Sequence, residues 1–185
     1  APVTFWTFMA GTLALAGLWP FSGFFSKDGI LAQAVSRHHY VLFGVGLFVA
    51  ILTTFYMFRL VFVVFYGSMR SAAAAHARES PGVMVWPLRI LAGFSRGGGV
   101  IGIESIYARQ FAPEPAGHAA GFAQQLVAPF VHAPVAAVSG LIALALGFAA
   151  AYALYAKAGK DPLPEKLGAL SQAMRNRFYF DELYE

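Results

Sequence analysis

The sequence predicts an all-α fold: a polytopic transmembrane helix bundle of about four spans, the first of them discontinuous. Three observations carry that expectation. Of the 185 residues, 58% are hydrophobic and only 12% charged, against about 25% charged in an ordinary soluble domain. Uncharged stretches of membrane-spanning length recur along the chain. A proline-containing turn, Trp19-Pro20-Phe21-Ser22-Gly23, interrupts the first of them.

No charge occurs from Ala1 to Ser26, and roughly 20 apolar residues make a span. Apolar character resumes after Asp28 and runs to Val35. A continuous helix over Thr4–Val35 would be about 48 Å long at 1.5 Å per residue, well beyond a hydrocarbon core of about 30 Å. A break takes up the excess. Pro20 removes a backbone donor and clashes with the preceding turn, and Gly23 adds backbone freedom three residues later. The freed groups need water, Ser22 or another helix as partners. An ordinary proline kink produces the same pattern, and both readings stand.

The second span is Tyr40–Tyr66, nineteen uncharged residues followed by Arg59 and a further apolar run. The loop Gly67–Pro81 ends it. The third is Val83–Ile103, which contains Pro87, Arg89, Arg96 and the triplet Gly97-Gly98-Gly99. Each arginine costs about 2.5–3.5 kcal/mol at mid-helix. Seven residues apart, the two share a helix face, and they face a protein interior or snorkel. The glycine run fits flexibility or close packing better than phosphate binding. Glu104–Pro134 reads as a long connection, with a short interfacial helix over Ala119–Val131. The fourth span, Val135–Ala156, has 22 uncharged residues. The segment Lys157–Pro162 leaves the membrane, and an amphipathic tail follows, with Phe178, Tyr179, Phe180 and Tyr184 suited to an interface. The chain thus divides into 1–66, the broken helix and the following span; 67–156, two further spans and their connection; and 157–185, the tail.

Basic residues give an orientation. Arg70, Arg78, Lys157, Lys160, Lys166, Arg175 and Arg177 fall on one side, and Arg37 and Arg109 on the other. The excess places the tail and the loop after span two in the cytoplasm. Ala1-Pro2-Val3 has neither an initiator Met nor a basic leader, so it does not read as a signal peptide. The chain reads as a fragment at both ends.

Several function classes fall away. There is no cysteine, hence no disulfide framework and no thiolate metal site. A net charge of +4 without a basic stripe argues against nucleic-acid binding. His38, His39, His76, His118 and His132 match no zinc spacing and read as surface residues, although His38 and His39 suit an outer proton mouth. No phosphate loop, catalytic triad or haem-ligand pattern occurs.

The residues that point to chemistry are ionisable ones at membrane depth, which are functional hypotheses by default. Lys27 and Asp28 lie inside apolar sequence just past the break. Lysine suits proton transfer because its proton affinity responds to burial and to neighbouring charge. Adjacent helical residues point about 100° apart, so the two need not pair. The competing reading is that they flank the end of the first span. Arg59 stays charged and cannot relay protons by titration. It can hold a carboxylate, order water or tune a neighbour, with Tyr56 on its face, or it snorkels from the end of the second span.

Three runs carry a resemblance. Gly11-Thr12-Leu13-Ala14-Leu15-Ala16-Gly17-Leu18-Trp19-Pro20-Phe21-Ser22-Gly23-Phe24-Phe25-Ser26-Lys27-Asp28 resembles a signature stretch of the antiporter-like membrane subunits of respiratory complex I. Thr54-Phe55-Tyr56-Met57-Phe58-Arg59-Leu60-Val61-Phe62 is similar to their next helix, and Asn176–Tyr184 to the segment after their later spans. The resemblance implies that the first segment is the discontinuous helix of the second inverted repeat. It further implies that Lys27 is the membrane-embedded lysine of a proton path, with Asp28 towards the exit and Arg59 close by. It implies no flavin, iron–sulfur cluster, quinone site or metal on this chain, those groups belonging to other subunits. Its partners would be the other membrane-arm subunits, lipid, protons and water, in a bacterial inner membrane. An unwound helix lining a wet cavity fits that role. The sequence departs from the family in Arg89 and Arg96, where members are mostly apolar, and in Gly29, where an acidic residue is frequent. The earlier repeat, with its own lysine and glutamate, and the long lateral helix are not in this sequence. Two rivals remain: the large subunit of a multisubunit cation/proton antiporter, and a structural membrane anchor.

Overall fold

In a computed structural model, residues 2–68, 78–99, 122–156, 162–176 and 178 are described. Among them all regular structure is helical. The elements are α1 (Pro2–Ala16), α2 (Ser22–Ser36), α3 (Tyr40–Val61), α4 (Gly82–Gly97), α5 (Phe122–His132), α6 (Pro134–Tyr155), and the short α7 (Leu163–Leu167) and α8 (Ala169–Arg175). A π-helical turn, Phe62–Tyr66, prolongs α3, so that Tyr40–Tyr66 forms one apolar helix of 27 residues. It and the 22-residue α6 are each long and apolar enough to cross a membrane. The fold is an all-α membrane helix bundle.

α1 and α2 have 15 residues each, about 22 Å apiece at 1.5 Å per residue, too short to cross alone. Together they line the whole of α3. At one end the Phe5 ring packs edge-on against Phe65, centroids 5.1 Å apart. In the middle Ala16 and Phe58 share a buried cluster with Ala151 of α6. Towards the other end Leu31 of α2 presses on Gly46 of α3, where an added β-carbon would stand 3.0 Å from its Cδ2. The pair therefore acts as one interrupted span, antiparallel to α3, in agreement with the expected break.

α6 runs alongside α3 in the same direction, held by small residues. A β-carbon on Gly147 would meet the Ile51 carbonyl oxygen at 2.5 Å and Thr54 Cβ at 2.7 Å. Farther along the two helices lie Phe58 against Phe148, centroids 4.7 Å apart, and then Phe62 against Tyr152, at 6.2 Å. Packing between apolar helices in lipid rests on such close approach, because burial from water drives nothing there.

α4 packs along α1 in parallel, its residues Leu88, Leu91 and Ser95 facing Thr4 to Leu15. The sequence places a span over Val83–Ile103; the described helix ends at Gly97, level with Ser22 and Phe25 of α2, and residues past 99 lie outside the described set. Both its arginines are exposed and lie over aromatic rings: Arg89 is 5.5 Å from the Trp86 ring centre and Arg96 is 5.9 Å from that of Phe21. Cation–π contact provides each charge with a partner in an apolar setting. α5 coincides with the expected short helix and lies over the break, with its Leu126 carbonyl accepting from Trp19 Nε1 at 3.1 Å and Phe130 stacked on Phe24. Of the orientation residues, Arg70, Arg109, Lys157, Lys160 and Arg177 lie outside the described set, as do His76 and His118 and the aromatic tail residues Tyr179, Phe180 and Tyr184.

Candidate functional site

The site is built on the end of α1. Gly17 adopts φ +86°, the left-handed conformation that ends many helices. Its N–H donates to the Ala14 carbonyl at 3.0 Å, and the Leu18 N–H reaches back to Leu13 at 3.0 Å. These are the two bonds of a Schellman closure. The Ala16 carbonyl is left over. In a continuous helix its donor would be the N–H four residues on, and that residue is Pro20, which has none. The Trp19–Pro20 peptide is cis, and α2 begins at Ser22.

Two side chains take up the orphaned carbonyl. Lys27 Nζ, from the second turn of α2, donates to Ala16 O at 3.2 Å. Thr54 Oγ1, from α3, lies 3.5 Å from the same oxygen and 3.0 Å from Ala50 O in its own helix. Thr54 is completely buried, pinned from behind by Gly147. The Lys27 stem lies on Gly17, where an added β-carbon would come within 3.1 Å of Lys27 Cδ. Gly17 is thus required twice, for its backbone conformation and for the lysine.

A helical wheel of α2 explains the arrangement. Phe24 and Leu31 are buried and define the core face. At about 100° per residue, Lys27 and Asp28 fall on opposite flanks of that face. Lys27 thereby turns to the break. Asp28 is 7% exposed, at a depth where charge is costly.

The sequence-predicted residues are only partly brought together. Pro20, Ser22, Gly23 and Lys27 meet at the break. Arg59 sits farther along α3, half-buried in its last turn, with its guanidinium 5.9 Å from the Tyr155 ring centre. It is Thr54, five residues earlier, that reaches the site. Tyr56, the expected companion of Arg59, is 48% exposed; the aromatic ring beside Arg59 is Tyr155, supplied by α6. Gly23 also differs from expectation. It lies inside α2, and a β-carbon there would run into the Ala14 carbonyl, so its role is close approach, and the conformational freedom belongs to Gly17. His38 pairs with Tyr40, its Nδ1 3.0 Å from the phenol oxygen, at the exposed turn before α3. Among the described residues no group of three or more His, Cys, Asp or Glu assembles.

Comparison with known proteins follows this geometry. Residues 1–53, which hold α1, the break, Lys27 and the start of α3, match the transmembrane family described as NADH:quinone oxidoreductase/Mrp antiporter. The chain is 34% identical over its full length to NADH-quinone oxidoreductase subunit L of Mycobacterium tuberculosis, covering 29% of that protein. Residues 1–53 belong to this family. It is also 35% identical over 99% of its length to NAD(P)H-quinone oxidoreductase chain 5 of a Picosynechococcus species, covering 31% of it. Against F(420)H(2) dehydrogenase subunit L of Methanosarcina mazei it is 32% identical over 99%, covering 30%. The chain spans about three tenths of the length of these relatives. The family match covers α1, the break and α2, and the similarity to the relatives continues through α6 and the tail.

Proposed function

We propose that this chain is part of a proton-translocating membrane subunit of a quinone-reducing dehydrogenase, and that Lys27 relays protons at the helix break. The observation that carries the reading is the bond from Lys27 Nζ to the Ala16 carbonyl that Pro20 leaves without a donor. A lysine at membrane depth that folds back onto unwound backbone has somewhere to rest its proton and an acceptor to leave. The names of the relatives support a role separate from reductant chemistry. They pair the same segment with NADH, NAD(P)H or F(420)H(2), so what is shared is not specific to one electron donor. The chain acts as a non-redox part of the translocase, with Asp28 and Arg59 as supporting charges, flavin, iron–sulfur clusters and quinone on other subunits, and the tail in the cytoplasm of a multi-pass inner-membrane protein.

The alternative is the large subunit of a cation/proton antiporter, favoured by the second half of the family's own description. Coupling separates the two: an antiporter subunit exchanges sodium for protons across vesicles without a quinone reductant.

The test uses the full-length subunit in its assembled complex, in sealed vesicles, with proton uptake and substrate oxidation measured together. Lys27→Gln keeps a donor for Ala16 O but cannot carry a proton at neutral pH; Lys27→Arg keeps the charge but does not release it. Both are expected to abolish this subunit's share of pumping. Pumping retained by both, with normal assembly, sinks the relay and leaves Lys27 as a cap on α1.

A further inference from the structure

Thr54 stands between two carbonyls and has one proton to give. Its Oγ1 lies 3.0 Å from Ala50 O, in its own helix, and 3.5 Å from Ala16 O at the break. An O–H···O bond is made at about 2.5–3.0 Å, so the hydroxyl donates to Ala50 and only approaches Ala16. A hydroxyl carries a single hydrogen and donates one bond at a time.

The two acceptors do not need it equally. Ala50 and Thr54 both lie inside α3, one helical turn apart, so the Ala50 carbonyl also receives the Thr54 backbone N–H. It keeps a partner when the hydroxyl turns away. Ala16 O has no such reserve. Pro20 removes its helical donor, and Lys27 Nζ, at 3.2 Å, holds the place instead. When Lys27 leaves, a carbonyl at membrane depth needs another donor, and without one the vacated state is disfavoured about tenfold.

Thr54 is placed to supply it. Its side chain is completely buried. A β-carbon on Gly147 of α6 would stand 2.7 Å from Thr54 Cβ and 2.5 Å from the Ile51 carbonyl oxygen, so α6 backs the threonine and holds it against the break. Turning the hydroxyl from one carbonyl to the other takes rotation about its Cβ–Oγ1 bond and closure on Ala16 O by about half an ångström, from 3.5 Å towards 3.0 Å.

We infer that Thr54 is the stand-in donor for Ala16 O: its hydroxyl turns from Ala50 to Ala16 when Lys27 departs, and turns back when the lysine returns. One hydrogen bond is exchanged for another, and the O–H bond stays intact. Thr54 is therefore a positioning residue, acting on Lys27 through the carbonyl they share. The exchange requires only that Lys27 leaves that carbonyl; its use in proton transfer rests on the relay proposed above.

The test uses the full-length subunit in its assembled complex, in sealed vesicles. Thr54→Val keeps the shape and loses the donor, whereas Thr54→Ser keeps the donor and loses a methyl group. Thr54→Val should lower this subunit's share of proton uptake per substrate oxidised about tenfold, and Thr54→Ser should keep it within about twofold. A packing role gives the opposite order, because valine fills the site and serine does not. The exchange itself is read from a cycle of Thr54→Val, Lys27→Met and the double variant, measured as the rate at which assembled complex is lost at one raised temperature. Methionine keeps a long stem over Gly17 and donates nothing. Each single variant leaves Ala16 O one donor and the double leaves it none, so the double should decay about tenfold faster than the two single effects multiplied together. Single effects that simply multiply overturn the exchange, whatever the pumping shows. Excess loss in the double variant, with pumping no lower in Thr54→Val than in Thr54→Ser, overturns its use in transfer. Pumping retained by Lys27→Gln, with the excess loss present, sinks the relay and leaves the stand-in donor in place, so the two failures are told apart.

Discussion

Gly23→Ala probes the break without touching a charged residue. The new β-carbon would overlap the Ala14 carbonyl oxygen and stand 2.8 Å from its carbon, where ordinary carbon–carbon contact is about 3.5–4.0 Å. The obstacle is backbone, so the start of α2 must retreat from α1 by about 1 Å or more. Lys27 rides on that part of α2, and its bond to Ala16 O is already 3.2 Å long, the outer limit for N–H···O. The retreat breaks it. Overpacking of this kind costs about 1–3 kcal/mol, to which loss of the bond adds about 0.5–1.5 kcal/mol. The matched control is Gly29→Ala, six residues on in the same helix, where an added β-carbon meets nothing within 4 Å. It should be neutral or slightly stabilising, since alanine is the better helix former by about 1 kcal/mol. The assay is the thermal stability of the purified complex in detergent, with proton uptake in vesicles as a second readout. Gly23→Ala should lower both while Gly29→Ala lowers neither. Indistinguishable behaviour of the two would show that α1 and α2 are not in the contact described, and the account of the break would fall with it.

Further predictions follow from other contacts. Thr54→Val removes the hydroxyl near Ala16 O while keeping the shape, and should cost about 0.5–1.5 kcal/mol of stability, seen as a lower unfolding temperature; no change would mean that the 3.5 Å approach carries nothing. Gly147→Ala should loosen α3 from α6 by a similar overpacking cost of about 1–3 kcal/mol, whereas Gly44→Ala, open on every side, should not; thermal unfolding of the pair compares them. Glu79 caps the first turn of α1, accepting from the Val3 and Thr4 N–H groups at 2.9 and 3.1 Å and from the Thr4 hydroxyl. Donation by that hydroxyl, joined by the two amides against a smaller opposing effect of burial, holds its carboxyl below the usual carboxylate value. Its contribution is therefore complete above the unfolded value of about 4.3 and is lost as pH falls through the depressed folded one. Glu79→Gln should speed hydrogen exchange at Val3 and Thr4 at neutral pH, and unchanged protection there would refute the cap.

How much of this was legible in the sequence depends on how local each cause is. The break was legible because Pro20 acts on its own backbone, and the identity of the orphaned carbonyl follows by counting back four residues to Ala16. Lys27 stood out because a charge inside apolar sequence is conspicuous. Arg59 stood out for the same reason, yet it lies past the site. Thr54 gave no signal: a threonine in an apolar helix is unremarkable until another helix places a carbonyl beside it. Thr12 was hidden in the same way, since nothing in the sequence shows that it is fully buried with its hydroxyl unpartnered by protein. The backbone freedom expected of Gly23 belongs to Gly17. Gly17 and Gly23 look alike in sequence, and only the path of the chain shows which needs an unusual backbone angle and which needs an absent side chain.

The three faces of α2 bear on how proton movement and water access are joined. Phe24 and Leu31 hold one face in the core, Lys27 leaves one flank towards the Ala16 carbonyl, and Ser22, Ser26, Gly29 and Gln33 turn a third face to a cavity of about 1110 Å³ that α3 and α4 also line. The lysine and the cavity-lining face are separate and come together only at the break itself, where Gly23 touches Ala14. A helix without a break would keep them apart along its whole length, because side chains on different faces of a continuous helix stay separated by its cylinder of backbone. The interruption removes that cylinder for the five residues from Gly17 to Phe21. In the proposed relay it is the place at which a proton leaves Lys27. Changes at the lysine should then abolish transfer without opening the membrane, so Lys27→Gln should lose proton uptake while resting vesicles hold an imposed proton gradient as well as the unaltered protein does.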